Sequence, residues 1–125
     1  MIKPMQPMPE QIAPLGSHQF LDQLNLAYHR EVALRLLADP EAVLSQARNN
    51  LSRWLAEYEA SDGGARCLEE WQHLLATHSV TQLAAIITED SDEGQRLRQS
   101  TPFTGILSAE ERKELRTRHE KAAAI

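Results

Sequence analysis

Asp39-Pro40-Glu41-Ala42-Val43-Leu44-Ser45-Gln46-Ala47-Arg48-Asn49-Asn50-Leu51-Ser52-Arg53-Trp54-Leu55-Ala56-Glu57-Tyr58 opens with a helix start and then holds a helical period. Asp39 is a favourable N-cap, and Pro40 suits the first helical position, where no backbone donor is needed. Leu44, Ala47, Leu51, Trp54, Leu55 and Tyr58 recur at helical spacing and form one stripe, with Arg48, Asn49, Ser52, Arg53 and Glu57 mostly off it. The helix is expected over about 40–60. The same Asp39-Pro40 pair ends whatever precedes it, because a residue before proline resists helical geometry. A helix over about 18–38, capped by Ser17, therefore meets the next one at a tight corner, and the two should form a hairpin. Its inward face is read as Leu21, Leu24, Tyr28, Val32 and Leu36, widened by Phe20, Ala27, Leu34 and Leu37.

Outward from this hairpin, Asp62-Gly63-Gly64 breaks the chain. A third helix is expected at about 65–77, with Leu68, Trp71, Leu74 and Leu75 inward. Ser79 and Gln82 form a capping box for a short, apolar fourth helix at about 80–88. Asp90 and Glu93 repeat the box for a fifth at about 91–100. Thr101-Pro102-Phe103-Thr104-Gly105-Ile106-Leu107 reads as a loop whose Phe103, Ile106 and Leu107 fold back onto the core. Gly105 suits a backbone conformation barred to other residues. Ser108 and Glu111 are a third box, opening a polar last helix over about 109–123 in which Leu115 is the chief apolar position. The expected architecture is a small all-α bundle of five or six helices: an arm over 1–16, a helical domain over 17–108 and a polar C-terminal helix over 109–125.

The 125 residues are 42% hydrophobic and 25% charged, ordinary for one globular domain. A single cysteine excludes an internal disulfide framework and a multi-cysteine zinc site. No apolar run approaches the ~20 residues of a membrane span. The net charge is -5. Residues 17–62 carry seven acids against four bases, residues 63–100 six against three, and residues 101–125 four against five. Such an acidic body does not advertise a nucleic-acid face, so nucleic acid is not an expected partner.

Residues 1–16 hold four of the six prolines and all three methionines. They read as an extended or disordered arm whose Met1, Ile2, Met5, Met8, Ile12 and Leu15 could dock in a groove. Prolines at 4, 7, 9 and 14 interrupt any signal-type apolar segment, and the one thiol is unpaired. The expectation is a cytoplasmic, bacterial protein.

No residue set converges on chemistry. His73 and His78 are five apart, not the i, i+4 pair of a helical zinc site, and His18, His29 and His119 lie elsewhere; all read as ordinary, partly exposed histidines. Cys67 lacks a nucleophile signature. The pairs Glu69-Glu70, Glu89-Asp90, Asp92-Glu93 and Glu110-Glu111 mostly fall at helix starts, where they complement the macrodipole. Asp62-Gly63-Gly64-Ala65 lacks the Lys-Ser/Thr of a phosphate loop. Thr81-Gln82-Leu83-Ala84-Ala85-Ile86 imitates the first helix of a helix-turn-helix, but the reading helix would then begin with Asp92-Glu93, which phosphates repel, although Arg96, Arg98 and Gln99 follow. An enzyme pocket would have to be built around Tyr28, His29 and Glu31. No catalytic, cofactor-binding or metal-binding residue is expected.

Glu93-Gly94-Gln95-Arg96-Leu97-Arg98-Gln99-Ser100-Thr101-Pro102-Phe103-Thr104-Gly105-Ile106-Leu107, followed by Glu110-Glu111-Arg112, resembles the C-terminal signature of a group of small bacterial proteins found beside toxin–antitoxin genes. Ser17-His18-Gln19-Phe20-Leu21-Asp22 with Ala27-Tyr28-His29 resembles that group's start. The likeness spans about residues 17–116 and implies a neutralising or accessory role. It carries no catalytic motif.

The expectation is a non-enzymatic protein-interaction module, an antitoxin or accessory protein that binds and blocks a toxin enzyme. Arg96, Arg98, Phe103, Arg112 and Arg116 are the candidate partner-binding residues, and a second copy of the chain is another candidate partner. The alternative is a DNA-binding regulator using helices near 80–100.

Overall fold

The computed structural model describes residues 17–58 and 64–124. Among these residues six helices follow one another: α1 (His18–Ala38), α2 (Pro40–Tyr58), α3 (Gly64–Thr77), α4 (Val80–Ile87), α5 (Asp92–Arg98) and α6 (Ala109–Ala124). No strand occurs among the described residues. The fold is the all-α bundle that the caps and apolar spacing predict. The arm over 1–16, the break at Asp62-Gly63 and the end of the second helix at 59–60 lie outside the described residues.

The caps explain where the helices start. Ser17 Oγ accepts a hydrogen bond from Phe20 N at 3.0 Å. Ser79 and Gln82 bond reciprocally at 3.1 and 2.8 Å, and Ser108 and Glu111 do the same at 3.1 and 2.8 Å. Each such cap is worth about 1 kcal/mol. The α5 cap differs from expectation by one residue. Ser91, not Asp90, takes the role, accepting from Gly94 N at 3.0 Å. Its short hydroxyl reaches the orphan amide that the sequence pattern assigned to a carboxylate.

α1 is the hub. It packs against α2, α4, α5 and α6, while α2 also covers α3 and α4 covers α5. The core joins Val32, Ala33 and Leu36 of α1, Val43, Ala47 and Leu51 of α2, Leu68, Trp71 and Leu75 of α3, and Leu83, Ala84 and Ile87 of α4. Phe103 and Leu107 return to it from the loop, as expected, and the Phe103 and Trp71 rings meet edge to face at 5.8 Å.

The inward face of α1 follows the spacing at Phe20, Val32 and Leu36 and departs from it elsewhere. Phe20, Leu26, His29, Val32, Ala33 and Leu36 are buried, whereas Leu21, Leu34 and Leu37 are exposed at 43%, 62% and 52%. Apolar residues surround this helix, so periodicity alone cannot select a face; four neighbouring helices do. Tyr58, placed on the α2 stripe, is likewise exposed.

Residues 101–107 form no helix, and their backbone carbonyls would be orphaned without side-chain partners. α1 and α2 supply them. Tyr28 OH donates to Phe103 O at 2.5 Å, Asn50 Nδ2 donates to Pro102 O and Thr104 O, each at 2.9 Å, and Arg35 Nη1 donates to Ile106 O at 3.4 Å. Gly105 turns the loop with φ of 82°.

Candidate interaction groove between α1 and α6

α6 is a polar helix that nevertheless docks on α1. Its N-terminus is fixed by Glu111, whose carboxylate closes the Ser108 cap and pairs with Arg35 of α1. The Arg35 guanidinium, helped by the Ser108 amide, holds the Glu111 carboxyl down at about 2. One turn on, Leu115 is buried. Further along, His119 meets the buried Phe20 ring edge-on at 5.9 Å, and the Arg116 guanidinium lies 5.9 Å from the same ring.

Between the two helices runs an open groove of about 270 Å³. Leu21, Leu24, Tyr28 and Leu115 give it apolar walls, and Arg112 and Arg116 give it a basic rim. Arg116 Nε is bonded to Glu120 at 2.9 Å. The Arg112 guanidinium has no ion pair or hydrogen bond among the described residues. The groove thus sets the exposed Leu21 side chain next to a cation that has no ion pair among the described residues. That arrangement can receive an apolar side chain and a carboxylate together.

The five residues expected to bind a partner separate. Arg112 and Arg116 come together in the groove. Arg96, on α5, is exposed but engaged: it forks onto Glu70 at 3.1 and 2.8 Å and bonds Glu93 at 3.0 and 2.6 Å. Those carboxylates push its pKa further up, and they are themselves held low. Arg98 is 4% exposed and donates to Ile87 O at 3.3 Å and Glu89 O at 2.7 Å. It caps the C-terminal end of α4, where a cation is favoured. Phe103 is fully buried. Arg98 and Phe103 therefore present no surface to a partner; both serve the core.

Tyr28 and His29 both aim at the loop. Burial pushes the Tyr28 phenol up, and its hydroxyl is committed to Phe103 O. His29 is not a partly exposed histidine but a fully buried one. Its Nδ1 lies 2.8 Å from Asn25 O and its Nε2 2.8 Å from Thr101 Oγ1. A carbonyl only accepts, so Nδ1 carries the proton and Nε2 accepts from the Thr101 hydroxyl. Burial lowers the His29 pKa to about 4.

His73 and Cys67 are exposed and His78 half-buried. No group of three or more His, Cys, Asp or Glu side chains is placed to hold a metal ion among the described residues. Sequence reasoning missed that His29 bonds the Thr101 hydroxyl and that Asn50 bonds the Pro102 and Thr104 carbonyls. The available signal was polar residues at positions flanked by buried apolar ones on α1 and α2. Among the described residues no helix is long and apolar enough to cross a membrane. Comparison of the chain with family models, with curated proteins and with solved structures finds no match.

Proposed function

We propose that this chain is a non-enzymatic, cytoplasmic interaction module that receives a segment of a partner protein in the α1–α6 groove. One observation carries the reading. Among the described residues Arg112 has no ion pair and lines the groove beside exposed Leu21, whereas Arg35, Arg96, Arg98 and Arg116 all have protein acceptors. The fitting partner segment brings a large apolar side chain and an acidic one. The likeness of residues 93–107 to proteins beside toxin–antitoxin genes supports reading the partner as a toxin enzyme and the role as neutralisation.

The test is inhibition and complex formation with the product of the neighbouring gene, using the wild type, Arg112→Glu and Leu21→Asp. Both substituted positions are exposed, so the fold should persist, as circular dichroism would verify. Loss of binding in both variants supports the groove; binding equal to wild type in both rejects it. A neighbour whose activity the wild type leaves untouched removes the toxin reading. The alternative, DNA recognition by α4 and α5, has lost its cations: Arg96 is neutralised by two carboxylates and Arg98 is interior. A gel shift at low salt would reinstate it.

A further inference from the structure

We infer that α6 is a hinged strap: it leaves α1 as a unit, takes one wall of the groove with it and bares Phe20, while the rest of the bundle stays folded. Among the described residues only α1 packs closely against α6, and Leu115 is the one buried side chain of the helix. By contrast α3, with 14 residues, buries Leu68, Trp71 and Leu75, and α4, with eight, buries Leu83, Ala84 and Ile87. Phe20 and Leu115 are buried, yet both lie outside the cluster that joins α1, α2, α3 and α4. The packing that holds α6 is therefore separate from the core, and a separate contact can part without opening the rest.

The remaining ties are weak ones. Arg35 and Glu111 are 42% and 39% exposed, and water and salt weaken such a pair. His119 and Arg116 each reach the Phe20 ring across 5.9 Å, the outer limit for a cation over a ring. Off α1 the helix keeps its own supports. The Ser108–Glu111 cap and the Arg116–Glu120 pair are local to it, and its Ala, Glu, Lys and Arg residues are strong helix formers. The hinge falls between buried Leu107 and exposed Ser108. Before it the loop stays in place, since Tyr28 holds Phe103 O and Arg35 holds Ile106 O. Arg112, Leu115 and Arg116 line the groove from α6, so the groove exists only in the docked state, and whatever fills it holds the strap down. That consequence rests on the groove reading; the release itself needs no partner.

Spin labels at Gln19→Cys and Ala122→Cys, both exposed positions, in full-length Cys67→Ser protein read the docking as a distance distribution by pulsed electron paramagnetic resonance. Two populations are expected, the docked one dominant. Glu111→Gln keeps a capping residue but not its charge, and should raise the undocked-to-docked ratio about two- to fivefold. Leu115→Ala should raise it at least about tenfold. In urea the labels should separate before the fluorescence of Trp54 and Trp71, both packed in the core, changes, and Leu115→Ala should leave that fluorescence midpoint where it is. A single docked distance in wild type and both variants overturns the inference. So does a loss of docking that coincides with the tryptophan transition, or a Leu115→Ala midpoint that falls, since α6 would then belong to the core. Release together with unchanged partner binding by Arg112→Glu and Leu21→Asp would refute the groove and leave the strap standing.

Discussion

His29 and Thr101, 72 residues apart in sequence, are joined by a 2.8 Å hydrogen bond in the bundle interior. The bond belongs to a relay of fixed direction. Phe103 N donates to Thr101 Oγ1 at 3.1 Å, the Thr101 hydroxyl donates to His29 Nε2, and His29 Nδ1 donates to Asn25 O. Thr101→Val keeps the shape but leaves both the ring nitrogen and the Phe103 amide without a partner. It should cost about 1–3 kcal/mol. Thr101→Ser keeps the hydroxyl and should cost much less. Urea unfolding of the two variants measures the difference; equal losses would mean that the methyl group, not the hydroxyl, matters.

The buried neutral imidazole also sets a pH response. His29 titrates at about 4 in the folded protein against 6.5 ordinarily. Between these values the unfolded chain binds a proton that the native state refuses. Stability is therefore complete above about pH 6.5 and falls as pH drops towards 4, by roughly 1.4 kcal/mol per unit of the shift. Below pH 4.5 Glu111 adds a second loss, as protonation removes its bond with Arg35 on the way to about 2. Urea midpoints across pH 7.5 to 4.5 should decline in wild type, and the decline should shrink in His29→Gln. A flat wild-type profile contradicts this account.

Asn50 is fully satisfied: it donates to two loop carbonyls and accepts from Arg53 at 3.1 Å. Asn50→Ala should lose about 1–3 kcal/mol by stranding Pro102 O and Thr104 O. Asn50→Leu restores the volume but not the donors, so it should recover little. Thermal and urea unfolding of both variants decide the matter. Full recovery by leucine would make this a packing site.

Gly94 reverses an ordinary rule. Replacing glycine by alanine inside a helix usually stabilises by about 1 kcal/mol. Here a Cβ would lie 2.0 Å from Glu89 O and 3.1 Å from Arg98 Nη1. Gly94→Ala should therefore destabilise by about 2 kcal/mol or more, since backbone must move. At Gly105 the added carbon meets only Gln46 Nε2 at 3.4 Å, and the penalty is the positive φ alone, about 1–2 kcal/mol. A stabilised Gly94→Ala protein would refute the close approach.

Helix boundaries were legible because they rest on local chemistry. Pro40, Ser17, Ser79 and Ser108 act within four residues of themselves, so a sequence shows their effect directly. Ser91 displaced Asp90 only because two competing caps stood side by side. The inward turn of Phe103 and Leu107 was legible from hydrophobicity. The face of α1 was legible only in part, at Phe20, Val32 and Leu36, because Leu21, Leu24, Leu34 and Leu37 are as apolar as the residues that are buried, and the choice depends on where four other helices land. The buried polar residues were hidden for a related reason. The bonds that satisfy His29, Asn50 and Arg98 include partners 72, 54 and 9 residues away, which no local pattern encodes. Half of the groove was legible as Arg112 and Arg116; its other wall became visible only once α6 lay against α1.

The knot of bonds around residues 101–107 sets an order of events during synthesis. Tyr28, Asn50 and Trp71 emerge from the ribosome long before Phe103, Thr104 and Leu97, the residues whose carbonyls they serve. The early hairpin therefore waits, half-dressed, for the last third of the polypeptide, and a nascent chain stalled before Thr101 has helices to form but no keystone to lock them.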